Sequence, residues 1–302
     1  MNKYFCNPNP PITAAQYAKA YTASPNHPRV LRKAAKDFTQ ADILRLHRRE
    51  VLAVHLEGVL TPEQCKGISR ELVDKAAAHG AVKGLQISYG LPWFLGAKSE
   101  EAAKKYFAEA KELPAKLRQA AAPYPSPLER MQGLLIQGWP AGAGVMVLDD
   151  RGPMCPALAR IYREKLVTCA PPAIEYFGVL PHIDSLKQEA PGYPVVAGME
   201  DQLAKNLYVG MPVGGELVIW DFTLTPAEYD ALRLSDEGYE YAVDPRKLGL
   251  PTVVIRPEPG DAILFPPELV HAVLGPRGPG RRVTWSCFLA MFGLYQPLKT
   301  WG

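Results

Sequence analysis

The feature that most constrains this chain is a series of short apolar segments from Gly144 onward, each interrupted by glycine or proline. Proline accounts for 30 of the 302 residues. Because proline fixes φ and lacks a backbone donor, this density disfavours long helices. The spacing predicts the short strands of a sandwich or jelly roll rather than alternating strand–helix units. We expect strands over 145–148, 158–162, 205–209, 216–220, 252–255, 262–265, 270–274 and 282–290.

The N-terminal half carries helix signals instead. Thr61 and Gln64 have the spacing of a capping box, and Gly80 is placed to end the helix that they begin. Ser99 is a suitable N-cap for a second helix over 100–122, which is rich in alanine, lysine and glutamate. The predicted fold class is therefore α+β, mainly β, with a β-rich core supported by N-terminal helices.

Composition excludes several classes of function. The 34 basic residues nearly balance the 31 acidic ones, giving a net charge of +3, which does not indicate a nucleic-acid or membrane surface. No apolar run reaches the length of a membrane span, and the N-terminus lacks the apolar core of a secretory signal. The five cysteines form no CxxC pair. We expect a soluble, cytoplasmic protein.

Three residues have the chemistry of a metal site. His182 and Asp184 are two residues apart, and in a strand such residues face the same side. His271 follows inside another predicted strand. Two histidines and one carboxylate form the facial triad of non-haem Fe(II) oxygenases, which leaves coordination positions open. The alternative is a surface His–Asp pair and an unrelated, packed histidine.

Two arginines follow the second histidine. A guanidinium near the metal could pair bidentately with a bound carboxylate. Strand alternation places Arg281 and Arg282 on opposite faces, so only one can point inward. The nearby hydroxyl of Thr284 favours Arg282. We expect Arg277, in a Gly/Pro-rich turn, to be a solvated loop residue.

With these residues the sequence resembles the 2-oxoglutarate/Fe(II)-dependent dioxygenases of the double-stranded β-helix type, such as prolyl hydroxylases. Supporting segments are 206–208, 214–217, 257–261 and 263–265, and the similarity extends over about 51–292.

The resemblance implies that His182, Asp184 and His271 are catalytic and bind Fe(II), with 2-oxoglutarate and O₂ as cosubstrates. Arg282 would bind the 2-oxoglutarate 5-carboxylate. Thr284, Asn206 and Tyr208 would complete the cosubstrate site.

The sequence pattern and the resemblance together predict a domain organisation. Residues 1–50 would form an N-terminal arm and 51–302 the dioxygenase domain. Within that domain we expect helical support over 51–140, a jelly-roll core over 144–292 and a lid insertion over 223–250.

The implied reaction is hydroxylation coupled to conversion of 2-oxoglutarate to succinate and CO₂. Related halogenases have glycine or alanine in place of the carboxylate, so Asp184 favours hydroxylation, with desaturation or ring closure as variants. The predicted substrate is a small molecule, such as an amino acid or natural-product intermediate, with Arg160, Tyr162 and Trp220 as candidate contacts. Two alternatives are a hydroxylase of a protein residue or carrier-tethered substrate and a non-catalytic cupin-like binding module.

Overall fold

In a computed structural model the chain is a mixed α and β structure, described over residues 27–75, 81–82, 85–162, 176–234 and 241–302. The strands are, in chain order, β1 Val30–Ala34, β2 Ala53–Glu57, β3 Ala81–Val82, β4 Leu85–Tyr89, β5 Ala143–Val145, β6 Val147–Leu148, β7 Gly152–Pro153, β8 Leu158–Tyr162, β9 Phe177–His182, β10 Asp201–Gly210, β11 Leu217–Thr223, β12 Val253–Ile255, β13 Ala262–Phe265, β14 Leu269–Leu274, β15 Val283–Met291 and β16 Leu298–Trp301.

Helices precede most of the strands. The α-helices are α1 Gln40–His47, α2 Pro62–Lys75, α3 Trp93–Gly96, α4 Glu100–Ala121, α5 Pro127–Gly138, α6 Leu186–Glu189, α7 Pro194–Ala197 and α8 Pro226–Leu232. Short 3-10 turns span Ala35–Asp37, Asp149–Arg151 and Pro245–Lys247.

The predicted helix starts are confirmed by their capping bonds. Thr61 Oγ1 accepts from Gln64 N at 3.3 Å, and Gln64 Oε1 accepts from Thr61 N at 3.0 Å, which completes the capping box of α2. Ser99 Oγ accepts from Ala102 N at 3.1 Å at the start of α4. The predicted stop at Gly80 lies outside the described residues.

Two main sheets contain most of the strands. The ten-stranded sheet has the order β1-β2-β13-β10-β15-β8-β4-β3, with β16 paired to β15 and β5 paired to β16. The four-stranded sheet has the order β12-β11-β14-β9. Each of the eight predicted strand segments overlaps an observed strand.

The two sheets pack face to face. One hydrophobic cluster joins Tyr208 and Phe265 of the larger sheet to Ile219, Ile255 and Leu269 on the smaller one. The opposite face of the larger sheet is covered by α1, α2, α4 and α5 in the largest cluster of the protein. The inner faces of the two sheets therefore form the space in which the predicted site residues lie.

The residues expected to form an N-terminal arm are partly integrated into the sheet. β1 pairs in parallel with β2, with Val30 opposite Ala53. In and just before α1, Phe38, Ile43 and Leu46 are buried in the largest cluster. Burial of these apolar side chains attaches residues 30–47 to the body of the protein.

The described parts of the predicted lid segment, 223–234 and 241–250, pack on the outer face of the smaller sheet. Leu234, Val243 and Leu248 join Trp220 there in a separate hydrophobic cluster. Val243 N donates a hydrogen bond to Pro181 O at 2.7 Å. This bond joins the segment to β9 next to His182, a predicted metal ligand. No helix in the described ranges combines the length and apolar character needed to cross a membrane.

Candidate metal centre

The three predicted metal ligands come together where β9 and β14 pair. His182 ends β9 and is the direct cross-strand partner of His271 in β14. Their ring centroids are 4.3 Å apart. Asp184 Oδ2 lies 3.6 Å from His182 Nε2 and 3.5 Å from His271 Nε2. Three donor atoms from residues 182, 184 and 271 therefore converge on one point.

Backbone carbonyls orient both imidazole rings. His182 Nδ1 lies 2.7 Å from Leu180 O, and His271 Nδ1 lies 3.0 Å from Leu269 O. A carbonyl oxygen only accepts, so each Nδ1 carries the proton and donates. This leaves the Nε2 lone pair of each ring facing Asp184, which is the tautomer that a metal ligand needs.

Asp184 reaches the histidines by a different route from the predicted one. β9 ends at His182, so Asp184 follows the strand, and the expectation that strand alternation aligns both side chains is wrong. Instead, two hydrogen bonds to the backbone of Asp184 hold the turn in place. Asp184 N donates to Pro267 O at 2.9 Å, and Gln202 Nε2 donates to Asp184 O at 3.5 Å.

Charge interactions set the protonation of the three side chains. Burial opposes ionisation of Asp184, but the charges and hydrogen bonds of the histidines outweigh it and hold its pKa well below the ordinary value. Burial likewise opposes protonation of His182, yet Asp184 raises the pKa of that imidazole overall. Burial and the charge of His182 lower the pKa of His271. Asp184 is therefore a carboxylate that is ready to bind a cation.

The donor set fits a divalent transition metal. The three ligand atoms all lie within 4.8 Å of one another. Imidazole nitrogens and one carboxylate oxygen suit iron and similar metals, and three protein ligands leave positions for other ligands. The side chain of Asp184 is 28% exposed, so one side of the centre is open.

Arg282 is a buried cation on the facing wall. It is 4% exposed, and its guanidinium carbon lies 4.3 Å from the Tyr162 ring centroid and 5.2 Å from that of Tyr208. Its Nε and Nη1 atoms are buried without a hydrogen-bond partner in the described part of the chain. Rings contribute a cation–π contact but no counter-charge, so Arg282 is suited to pair with an added carboxylate.

The other predicted cosubstrate residues share this face through the strand register. Tyr208 is opposite Thr284, and Asn206 is opposite Ser286. Directly paired residues project to the same side of a sheet, so these four side chains line the inner face. Arg281 is exposed, whereas Arg282 is buried, as the alternation predicts.

A glycine turn brings the backbone close to Arg282. Gly215 has a φ of +77°, and a Cβ there would lie 3.4 Å from Arg282 Cδ. The next residue, Glu216, is buried and binds Arg277 at 2.5 and 3.2 Å. Arg277 lies in a loop and its side chain is 47% exposed, as expected, but the sequence did not show its ion pair with Glu216, a buried carboxylate that requires a partner.

The candidate substrate residues separate into two groups. Arg160 and Tyr162 lie in β8 on the inner face, with Arg160 opposite Thr284. Trp220 faces the other way: it is 2% exposed in the outer cluster, and its Nε1 donates to Gly249 O at 2.8 Å. Its neighbour Ile219, not Trp220, faces inward, so Trp220 does not line the site.

Two features near the metal ligands were not assigned from the sequence. The ring of Tyr241 stands edge-on to His182 at 6.1 Å, and Tyr229 Oη donates to Tyr241 O. Gln202 supports the Asp184 turn, although its local sequence carries no signal for this role. Both depend on contacts between distant segments.

No protein-family model and no curated protein matches the sequence. Solved structures do match. An N-substituted L-amino acid dioxygenase from Burkholderia ambifaria AMMD is 18% identical with a TM-score of 0.52, covering 88% of this chain and 92% of that one. The chain shares the fold of this dioxygenase. The complex of the Burkholderia dioxygenase with alpha-ketoglutarate matches at 17% identity and a TM-score of 0.51, covering 87% and 91%. The predicted resemblance is thus confirmed for the dioxygenase fold.

Proposed function

We propose that this protein is an Fe(II)- and 2-oxoglutarate-dependent oxygenase whose two facing sheets form a double-stranded β-helix core. The observation that carries the proposal is the presence of two features on the facing sides of the two sheets. The triad of His182, Asp184 and His271 lies on the side of the smaller sheet, and Arg282, next to β15 of the larger one, has two guanidinium nitrogens without a hydrogen-bond partner among the described residues. One site thus offers a place for a metal and for a carboxylate.

The roles of the residues follow from their geometry. The Nε2 atoms of His182 and His271 and the carboxylate of Asp184 would hold the iron. Arg282 would pair with the 5-carboxylate of 2-oxoglutarate and fix its distance from the metal, helped by the Thr284 hydroxyl. Bound Fe(II) would supply the activation of O₂, with two electrons from 2-oxoglutarate decarboxylation and two from substrate oxidation.

The carboxylate of Asp184 favours oxygen transfer to the substrate. It occupies the position that a halide would need and supplies the only negative charge among the three ligands. Hydroxylation is therefore the proposed outcome, with desaturation or ring closure as variants of the same oxidation.

A small molecule, in the first place an amino acid derivative, is the proposed substrate class. The dioxygenase from Burkholderia ambifaria AMMD that shares the fold is described as acting on N-substituted L-amino acids. The inner face adds a guanidinium at Arg160 and a phenol at Tyr162, which suit a polar small molecule.

The test is turnover of 2-oxoglutarate by the purified protein with Fe(II) and ascorbate. We expect succinate release to rise with a substrate from a panel of free and N-acetyl amino acids, with a product heavier by one oxygen atom. His271→Ala is the inactive control. Absence of both metal binding and 2-oxoglutarate binding would favour a non-catalytic binding module instead. Succinate release driven only by a protein or carrier-linked substrate would favour the other alternative.

A further inference from the structure

Arg160 is a second cationic side chain on the inner face of the ten-stranded sheet. Its direct partner across to β15 is Thr284, which pairs on its other side with Tyr208 of β10. These paired side chains project to the same side. The flanking residues Ala159 and Ile161 belong to the helix-covered core on the opposite face. Arg160 therefore points between the sheets, beside Arg282 and its supporting residues.

The charge of Arg160 has no described counter-charge. Its Nε is buried and makes no hydrogen bond, and none of the ion pairs found across the described ranges involves it. Asp184, the carboxylate of the site, faces the two histidines. A partly buried guanidinium without a partner is costly, so the site favours occupation by an anion.

A charge count over the described residues of the site leaves one positive charge after 2-oxoglutarate has bound. Arg160 and Arg282 contribute two positive charges and Asp184 one negative charge, with both histidines neutral as ligands. Fe(II) would add two positive charges, and 2-oxoglutarate would remove two. One positive charge then remains, and it belongs to Arg160 because Arg282 is matched by the cosubstrate.

We propose that the substrate is a small organic acid whose carboxylate pairs with Arg160, while Arg282 holds 2-oxoglutarate. This inference rests on the proposed function and names the substrate class for the same site. Tyr162 lies between the two subsites, since it follows Arg160 by two residues in β8 and its ring lies under the Arg282 guanidinium. The arrangement gives each carboxylate its own cation.

The main consequence is discrimination between acids and their neutral analogues. A primary amide or ester of the same molecule would leave the guanidinium unpaired, and sites built on a charged hydrogen-bonding group reject such analogues strongly. Loss of one charge-assisted pair corresponds to a decrease in affinity of about 10- to 100-fold.

The test measures binding to the full-length protein loaded with Mn(II) and 2-oxoglutarate, by isothermal titration calorimetry. The probes are N-acetyl-L-amino acids and their matching primary amides. The variants are Arg160→Gln, which removes the charge, and Arg160→Lys, which keeps it without the bidentate fork. Arg256→Gln is the matched control, since Arg256 is exposed just after β12.

We expect wild type and Arg256→Gln to bind at least one acid about 10-fold or more tightly than its amide. Arg160→Gln should lose this preference and keep 2-oxoglutarate affinity, and Arg160→Lys should retain part of the preference. If Arg160→Gln folds poorly, the affinities of wild type and Arg160→Lys for the acid and its amide still test the inference.

Three results would overturn the inference: equal binding of acids and amides to wild type, no binding of any acid, or loss of 2-oxoglutarate affinity in Arg160→Gln as large as in Arg282→Gln. Wild type that binds neither Mn(II) nor 2-oxoglutarate contradicts the proposed function itself, and does so before any acid is added.

Discussion

Gln202 holds the turn that carries Asp184. Its Nε2 donates to Asp184 O at 3.5 Å, and its Oε1 accepts from Leu186 N at 2.9 Å. Gln202 is 2% exposed, so water does not replace these bonds easily. Gln202 belongs to β10 of the larger sheet, whereas Asp184 follows the end of β9 in the smaller sheet. A side chain of one sheet thus positions a predicted metal ligand of the other.

Replacing Gln202 with leucine should weaken metal binding without unfolding the protein. The apolar side chain removes both bonds to the turn, so Asp184 is held less firmly against the histidines. We expect the Mn(II) affinity, measured by calorimetry, to fall by roughly 10-fold, the lower range for residues that support metal ligands. Gln188→Leu is the control, because Gln188 is exposed on the neighbouring α6. Equal metal affinity in both variants would show that the turn is rigid without Gln202.

Alanine at His182, Asp184 or His271 should abolish metal binding and turnover while the fold persists. Each change removes one of three donors from a site at the junction of β9 and β14, whereas the sheet hydrogen bonds remain. Metal content by mass spectrometry and the circular dichroism spectrum test both parts. His27→Ala controls for the loss of a histidine outside the site. Full metal content in His182→Ala and His271→Ala would rule out this assignment.

Arg282→Gln should raise the 2-oxoglutarate dissociation constant by about 10- to 100-fold, because a buried charge-assisted pair is lost. Arg281→Gln, at the exposed neighbouring position, should leave it unchanged. Calorimetry on the Mn(II)-loaded variants gives both constants. The opposite ranking would mean that Arg282 serves only to pack against Tyr162 and Tyr208.

The buried Lys205 should make the free energy of unfolding vary with pH in the alkaline range. It is 0% exposed, and its Nζ donates to Met131 O at 2.5 Å. Burial lowers the pKa of Lys205 to about 8. Between pH 8 and the ordinary lysine pKa the unfolded chain binds more protons than the folded one, so the free energy of unfolding should rise with pH there. Below pH 8 the cost of the buried charge is fully present.

Lys205→Met removes this charge. The free energy of unfolding of this variant should therefore rise less between pH 8 and the ordinary lysine pKa. At pH 7 it should increase the free energy of unfolding, by at most ~3 kcal/mol. Urea denaturation at several pH values gives both quantities. Lys66→Met, at an exposed position of α2, is the control and should keep the wild-type slope. A wild-type curve that falls with pH in this window would contradict the buried-lysine explanation.

The sequence by itself determined the features that depend on neighbouring residues. The capping boxes at Thr61 and the cap at Ser99 are local hydrogen-bond patterns, and they predict where helices begin. Glycine and proline residues mark the ends of the short strands, because glycine permits unusual φ angles and proline fixes its own φ angle. The alternation of extended chain leading into β15 separated the buried Arg282 from the exposed Arg281, because side-chain direction in such a segment repeats every two residues.

Only the tertiary structure determined the features that depend on contacts between segments separated in the sequence. Asp184 lies beyond its strand, and it is directed to the histidines by a backbone bond to Pro267 and a bond from the Gln202 side chain, neither of which is local in sequence. The same holds for Arg277, whose buried partner Glu216 is 61 residues away. Trp220 was misassigned because a sequence shows that a strand has two faces but not which of them a neighbouring segment will cover. Non-local contacts are set by the packing of whole sheets, and no short stretch of sequence contains that information.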